Sequence, residues 1–95
     1  MDGGSIMRQY ICQMYSNSLL GRTFRVYTSS AMKVAKKHGR CEGGETIAVM
    51  ATDRGQVSEV VSCVKWTPEN GGKYYRVTPE AFWIDDFDTM WKENE

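Results

Sequence analysis

The second half of the chain contains three segments rich in β-forming residues, and two strong turn signals separate them. The segments cover residues 45–52, 57–67 and 73–77. The turns are DRGQ (53–56) and PENGG, whose Asn-Gly pair adopts positive φ angles at little cost. Because connections this short join strands of opposite direction, the pattern predicts a three-stranded antiparallel meander. In the middle segment the apolar face changes near Val60 and Val61, which predicts a bulge or a bend there.

The N-terminal half adds two predicted strands and a helix. In segment 8–15, Tyr10, Cys12 and Met14 fall on one face, although the other face mixes polar and apolar residues. Segment 22–28 alternates more clearly and is rich in β-branched and aromatic residues. The stretch SSAMKVAKKHG (29–39) predicts a short helix that a serine caps and Gly39 ends. Its small and apolar residues fall on one stripe, and its lysines point away from that stripe.

The C-terminal segment predicts a second helical region. Thr78-Pro79 fits a helix start, since threonine caps well and proline is accepted at the first helical position. Aromatic and apolar residues then recur at helical spacing, so residues 85–93 are expected to be helical. The order along the chain is therefore β-β-α-β-β-β-α. This order predicts an α+β fold, with an antiparallel sheet of about five strands and the helices packed on one face.

A length of 95 residues fits a single domain, which we place at residues 7–95. Residues 1–6 are expected to be a disordered leader, because Met7 fits as an alternative start. The N-terminus lacks the basic and apolar regions of a signal peptide. No stretch approaches the roughly 20 apolar residues of a membrane span, so no membrane partner is expected.

The three cysteines form no CxxC pair, and an odd number argues against a disulfide framework. We therefore expect free thiols and a cytoplasmic location. Cys12 and Cys63 fall in predicted strands, where a thiol is usually buried and inert. Cys41 is expected to be an exposed loop thiol.

The formal net charge is zero, but the charges are unevenly distributed. Residues 1–40 hold seven basic residues and one acidic residue, a net charge of +6, whereas residues 79–95 hold one basic and six acidic residues, a net charge of −5. In the favoured interpretation, the acidic end folds near the basic helix and the two fields partly cancel. In the alternative, each pole faces a different partner.

Reactive residue types are dense between residues 29 and 44, but their spacing fits no established site. His38 and Cys41 supply at most half of the four ligands of a structural zinc site. The stretch GRCEGGE follows a helix and lacks the spacing of a phosphate-binding loop. The adjacent acids Asp85, Asp86 and Asp88 do not face each other across a cleft. We therefore predict no catalytic residue, no metal site and no cofactor. A small thiol-dependent enzyme, with Cys41 as nucleophile and His38 as base, is the third and least favoured alternative.

Two sets of residues are candidates for binding. Basic and aromatic residues that could contact phosphates and stack on bases favour nucleic-acid binding as the alternative function. They are Arg22, Arg25, Lys33, Lys36, Lys37, Arg40, Tyr74 and Arg76. The aromatic residues of the acidic tail favour protein binding, although the same residues would also serve to close the domain's own core. They are Trp83, Phe87, Met90 and Trp91.

The sequence resolves no specific activity. The interpretation that it favours is a small non-catalytic binding module that acts through protein–protein contact, with self-association as a homodimer as one form of that contact.

Overall fold

Five strands, two helices and a 3-10 turn form the protein in its computed structural model, which describes residues 6–52 and 55–95. The strands are β1 (Arg8–Ser16), β2 (Leu19–Thr28), β3 (Glu45–Ala51), β4 (Val57–Val64) and β5 (Lys73–Val77). The helices are α1 (Ala31–His38) and α2 (Phe87–Glu93), and the 3-10 turn is Pro79–Ala81. The predicted leader lies outside the described residues except for Ile6, which is exposed.

The strands form one antiparallel sheet in the order β2-β1-β3-β4-β5. The α+β class, the five-stranded sheet and the order of elements along the chain are therefore confirmed. The predicted DRGQ turn lies partly outside the described residues, since these stop at 52 and resume at 55. Neither helix in the described ranges is long and apolar enough to cross a membrane.

The two helices lie on opposite faces of the sheet, so the prediction that they share one face is wrong. The reason lies in the central strands, each of which contains four or more consecutive buried residues. These runs include 11–14 in β1, 48–51 in β3 and 60–63 in β4. Because successive side chains of a strand point to opposite faces, such a run requires a cover on both faces.

Helix α1 covers the first face, which we call the α1 face. The Ser30 hydroxyl caps the helix by accepting a hydrogen bond from the Lys33 amide at 3.3 Å. Its buried residues pack against the side chains of β1, β3 and β4 that point to this face. The helix residues are Ala31, Val34 and Ala35, and the strand residues include Cys12, Met14, Ala48, Met50 and Val61.

The chain after β5 covers the second face, which we call the C-terminal face. Ile84 is the centre of this cover, with 1% of its surface exposed, and it packs with Ile11 and Val60. Its amide donates to the Gly55 carbonyl at 3.0 Å. Gly55 has a φ of +76°, and a Cβ there would lie 2.5 Å from the Ile84 carbonyl oxygen, so both backbone and space require glycine.

The double cover also explains the change of apolar face near Val60 and Val61. Both residues are 1% exposed, because each belongs to the core on its own side of the sheet. The irregularity in β4 lies earlier: Met50 pairs with Glu59 and Ala51 with Val57, which leaves Ser58 as the extra residue.

Replacement of Ile84 tests whether the C-terminal cover stabilises the sheet. Ile84→Ala is expected to lower the free energy of unfolding by about 3 kcal/mol, because it removes a fully buried side chain and leaves a cavity. Leu19→Ala is the matched control, since Leu19 is 73% exposed and its loss should change stability by less than about 0.5 kcal/mol. Urea denaturation measures both, and equal stability of the two variants would contradict this packing.

Candidate functional site

The sheet separates the basic helix from the acidic C-terminal segment. Arg22 pairs with Met14 and Arg76 with Val61, and cross-strand partners share a face, so both arginines lie on the α1 face. The acidic segment belongs to the opposite face. The expectation that the acidic end lies beside the basic helix is therefore wrong. The exposed cations on and around α1, which we call the basic face, are Arg22, Lys33, Lys36, Lys37, Arg40 and Arg76.

Two arginines of the basic face have acidic neighbours. Arg40 lies 2.8 Å from a Glu42 carboxylate oxygen, and Arg76 lies 3.3 Å from Glu59. Both arginine side chains remain more than half exposed, at 64% and 58%. Exposed ion pairs contribute little energy, so an anionic ligand can displace them at low cost. Arg40 is also held over the Trp66 ring, 4.0 Å from its centre, which fixes the direction of this guanidinium.

His38 adjoins the basic face but does not add to its charge at neutral pH. An Arg22 Nη atom lies 3.2 Å from His38 Nδ1, and the ring centres of Phe24 and His38 are 4.7 Å apart. Burial, together with the positive charges of Arg22 and Lys37, lowers the pKa of His38 below 6.5. The neutral ring can accept a hydrogen bond from Arg22. His38 and Cys41 therefore have different neighbours, Arg22 for the ring and Cys63 for the thiol.

Two residues predicted to contact nucleic acid have structural partners instead of exposed surfaces. Tyr74 is half-buried, and its hydroxyl donates to the Gly39 carbonyl at 3.1 Å. Arg25 lies on the C-terminal face, where its guanidinium carbon is 3.8 Å from the centre of the Trp91 ring. Only 18% of the Arg25 side chain is exposed, and its Nη1 also donates to the Trp91 carbonyl at 3.4 Å.

Three of the four tail residues predicted to bind a protein pack against the domain's own core. Phe87, Met90 and Trp91 are half-buried on the C-terminal face. The rings of Phe87 and Trp91 are stacked with centres 5.3 Å apart, and Gln13 contacts the Met90 sulfur at 3.1 Å. Trp83 differs from them, because 62% of its surface is exposed.

Trp83 stands beside a cavity of about 320 Å³ in the C-terminal face, which we call the aromatic groove. The C-terminal segment covers the rows of the sheet around Val49 and Val60 but leaves the next row partly open. In that row Tyr15 pairs with Ile47, Ile47 with Ser62, and Ser62 with Tyr75. The groove is lined by Tyr15, Ser18, Ile47, Val49, Ala81, Phe82 and Trp83.

Acidic side chains surround Trp83 outside the groove. Trp83 borders two further cavities, of about 270 and 360 Å³. The wall of the first includes Glu80, and the wall of the second includes Asp86 and Asp88. The exposed indole therefore stands between an apolar groove and negatively charged rims.

Sequence reasoning identified Trp83 but missed the rest of the groove. Tyr15 and Ile47 read as ordinary strand residues, and nothing in their pattern shows that the covering segment stops short of them.

The predictions for the three cysteines are also confirmed only in part. Cys12 and Cys63 are buried in strands as predicted, whereas Cys41 is 4% exposed and the prediction of an exposed thiol is wrong.

No family model matches the chain, and neither does any curated protein or solved structure. The surfaces themselves therefore carry the functional argument.

Removal of Arg22 tests the electrostatics beside α1. Arg22→Gln is expected to raise the pKa of His38 toward 6.5, because it removes a nearby positive charge. The chain has one histidine, so an NMR titration reads this pKa directly. Arg76→Gln removes the same charge elsewhere and should leave the pKa of His38 unchanged.

The pKa of His38 is lower in the folded protein than in the unfolded chain, so the neutral ring contributes stability above pH 6.5. This contribution is lost as the pH falls through the folded-state pKa.

An unchanged His38 pKa in Arg22→Gln would show that burial and Lys37 alone account for the shift.

Proposed function

We propose that the protein is a non-catalytic binding module that contacts a partner protein through the aromatic groove. The observation that carries this proposal is the 62% exposure of Trp83 between three cavities. The other aromatic side chains of the tail pack against the sheet. Trp83 differs from them, because its indole is exposed to water on a face where the other rings are covered. A cytoplasmic location belongs to the same proposal, since the three cysteines are free thiols.

The groove has the composition of a contact site. Aromatic side chains contribute large contact areas at protein interfaces, and tryptophan is enriched among the residues that dominate binding energy. Leu20 and Tyr75 are also exposed, at 49% and 46%. Leu20 pairs with Tyr15, and Tyr75 pairs with Ser62, so these residues extend the open row on both sides.

The charges near Trp83 define the partner more closely. An apolar side chain of the partner would fill the groove between Tyr15 and Phe82. Basic residues that flank this side chain would lie against Glu80, Asp86 and Asp88. Complementary charge of this kind favours correct partners and faster association. The expected partner segment is therefore apolar at its centre and basic at its ends.

Loss of the exposed indole tests this proposal. Trp83→Ala is expected to weaken partner binding by roughly 30-fold or more, which corresponds to the loss of an interface anchor of about 2 kcal/mol. The matched control is Tyr27→Ala, because Tyr27 is 60% exposed but lies on β2 and not in the groove. Quantitative mass spectrometry of proteins captured by the three forms, with sedimentation analysis for self-association, provides the measurement.

Proteins bound through the groove should be lost with Trp83→Ala and retained with Tyr27→Ala. If the partner is a second copy of the chain, Trp83→Ala should dissociate the dimer. Equal capture and equal sedimentation for all three forms would refute the proposal.

Nucleic-acid binding at the basic face is the second candidate. The observation that favours it is that the sheet lies between the basic face and the acidic segment, so the six exposed cations are not covered by the chain's own acidic end. Lys33, Lys36 and Lys37 are exposed on one helix, where they can contact successive phosphates.

Fluorescence anisotropy with labelled single- and double-stranded DNA tests the second candidate. If about four phosphates are neutralised, affinity for duplex DNA should fall about a hundredfold between about 50 and 200 mM salt. The triple variant Lys33→Ala/Lys36→Ala/Lys37→Ala should weaken binding and reduce this salt dependence, while alanine preserves the helix. The variant Lys73→Ala/Lys92→Ala, whose lysines lie outside the basic face, should bind as the original protein does. An absence of binding at the lower salt concentration would exclude this function.

A further inference from the structure

Two thiols from distant parts of the chain meet beneath the loop that follows α1. The Sγ atoms of Cys41 and Cys63 are 2.9 Å apart, and the Cys41 thiol is also 3.0 Å from the Cys63 carbonyl oxygen. Both residues are buried, with 4% and 1% of their surfaces exposed. Both thiols are therefore largely shielded from water.

The surrounding backbone holds the two sulfur atoms together. Cys63 lies in β4, with Thr46 and Tyr74 as its cross-strand neighbours. The Cys41 carbonyl accepts a hydrogen bond from the Trp66 amide at 3.0 Å, which attaches the loop to the chain just after β4. A Cβ at Gly72 would lie 3.0 Å from the Cys63 sulfur, so the glycine keeps space open around it.

We propose that Cys41 and Cys63 form an oxidation site that closes to an intramolecular disulfide on reaction with a small-molecule disulfide. A disulfide bond is about 2.05 Å long, so the sulfur atoms must approach by only about 0.9 Å. This site is separate from the groove and does not depend on the function proposed for it.

A cavity lies beside one of the two cysteines. It has a volume of about 200 Å³ and lies between the β1–β2 turn and the loop after α1. Its lining includes Cys41, with Arg40 and Glu42 on either side, and does not include Cys63. Cys41 is therefore the thiol that meets the oxidant, and Cys63 is the thiol that completes the reaction.

The reaction is two successive thiol–disulfide exchanges. The deprotonated Cys41 sulfur attacks the oxidant, forms a mixed disulfide and releases one small thiolate. The deprotonated Cys63 sulfur then attacks the Cys41 sulfur and releases the second small thiolate. In sum, the two cysteine thiols lose two protons and two electrons. The small disulfide takes up these protons and electrons and becomes two small thiols.

Burial of Cys63 affects the second exchange. Burial raises the pKa of Cys63, which lowers its thiolate fraction at neutral pH and slows the second exchange. Cys12 has no role in the reaction, because it is 0% exposed and its sulfur faces the Met14 sulfur at 3.7 Å. Burial raises the pKa of Cys12 to about 12.

The bond would fasten the exit of α1 to β4 and restrict the loop that carries Arg40. Residues 41 and 63 are 22 positions apart, and closing a loop of this length limits the unfolded chain. The melting temperature of the oxidised protein should therefore rise by about 10 °C or more, and a reducing agent should reverse the change.

The test uses oxidised glutathione as the probe. The folded protein is treated with it, denatured, alkylated with N-ethylmaleimide and weighed by mass spectrometry, and a peptide map locates the bond. The original protein has three cysteines and should take up one alkyl group in place of three. Cys12→Ala is the control, and it should form the same bond and take up no alkyl group.

Cys63→Ser separates the two steps, because it keeps the first thiol and removes the second. It should accumulate a glutathione adduct on Cys41, whereas Cys41→Ser should form neither the adduct nor the bond. Uptake of three alkyl groups after oxidation, a bond to Cys12, or a bond between two chains would each overturn the proposal.

Discussion

Burial of the central sheet on both faces is the constraint on which the remaining structure depends. Strands β1, β3 and β4 carry apolar residues on each side, so neither helix alone can complete the core. Helix α1 covers one side and the segment around Ile84 covers the other. This arrangement moves the acidic end of the chain away from the basic helix, and it is the reason that the protein presents two surfaces of opposite charge.

The same constraint explains where the candidate contact surface lies. The C-terminal cover is short, and its anchor is Ile84, which is held by the Gly55 carbonyl. Such a segment covers the rows of the sheet nearest to it and leaves the row of Tyr15 and Ile47 partly open. The exposed Trp83 borders this row, so its position follows from the limited reach of the cover.

The strands, the first helix and their order could be predicted from local patterns, because alternation, caps and turn residues act over a few positions. The placement of the two helices on opposite faces of the sheet could not be predicted, since consecutive apolar residues such as Val60 and Val61 fit either a bulge or a strand that is covered on both faces. The same limit applies to the site. Sequence alone does not separate Trp91 from Trp83, and the contacts of Trp91 with Arg25 and Phe87 are what show that Trp91 is structural. The meeting of Cys41 with Cys63 depends on the path of a loop, which spacing does not specify.

The order of the elements has a consequence for folding of the protein. The cover of the C-terminal face follows all five strands in the sequence. A folding chain in which the sheet has formed and this segment has not yet docked exposes Ile11, Val49 and Val60 to water. Partly folded chains with such an exposed apolar face are prone to aggregate. Docking of the short C-terminal segment therefore ends the aggregation-prone stage of folding.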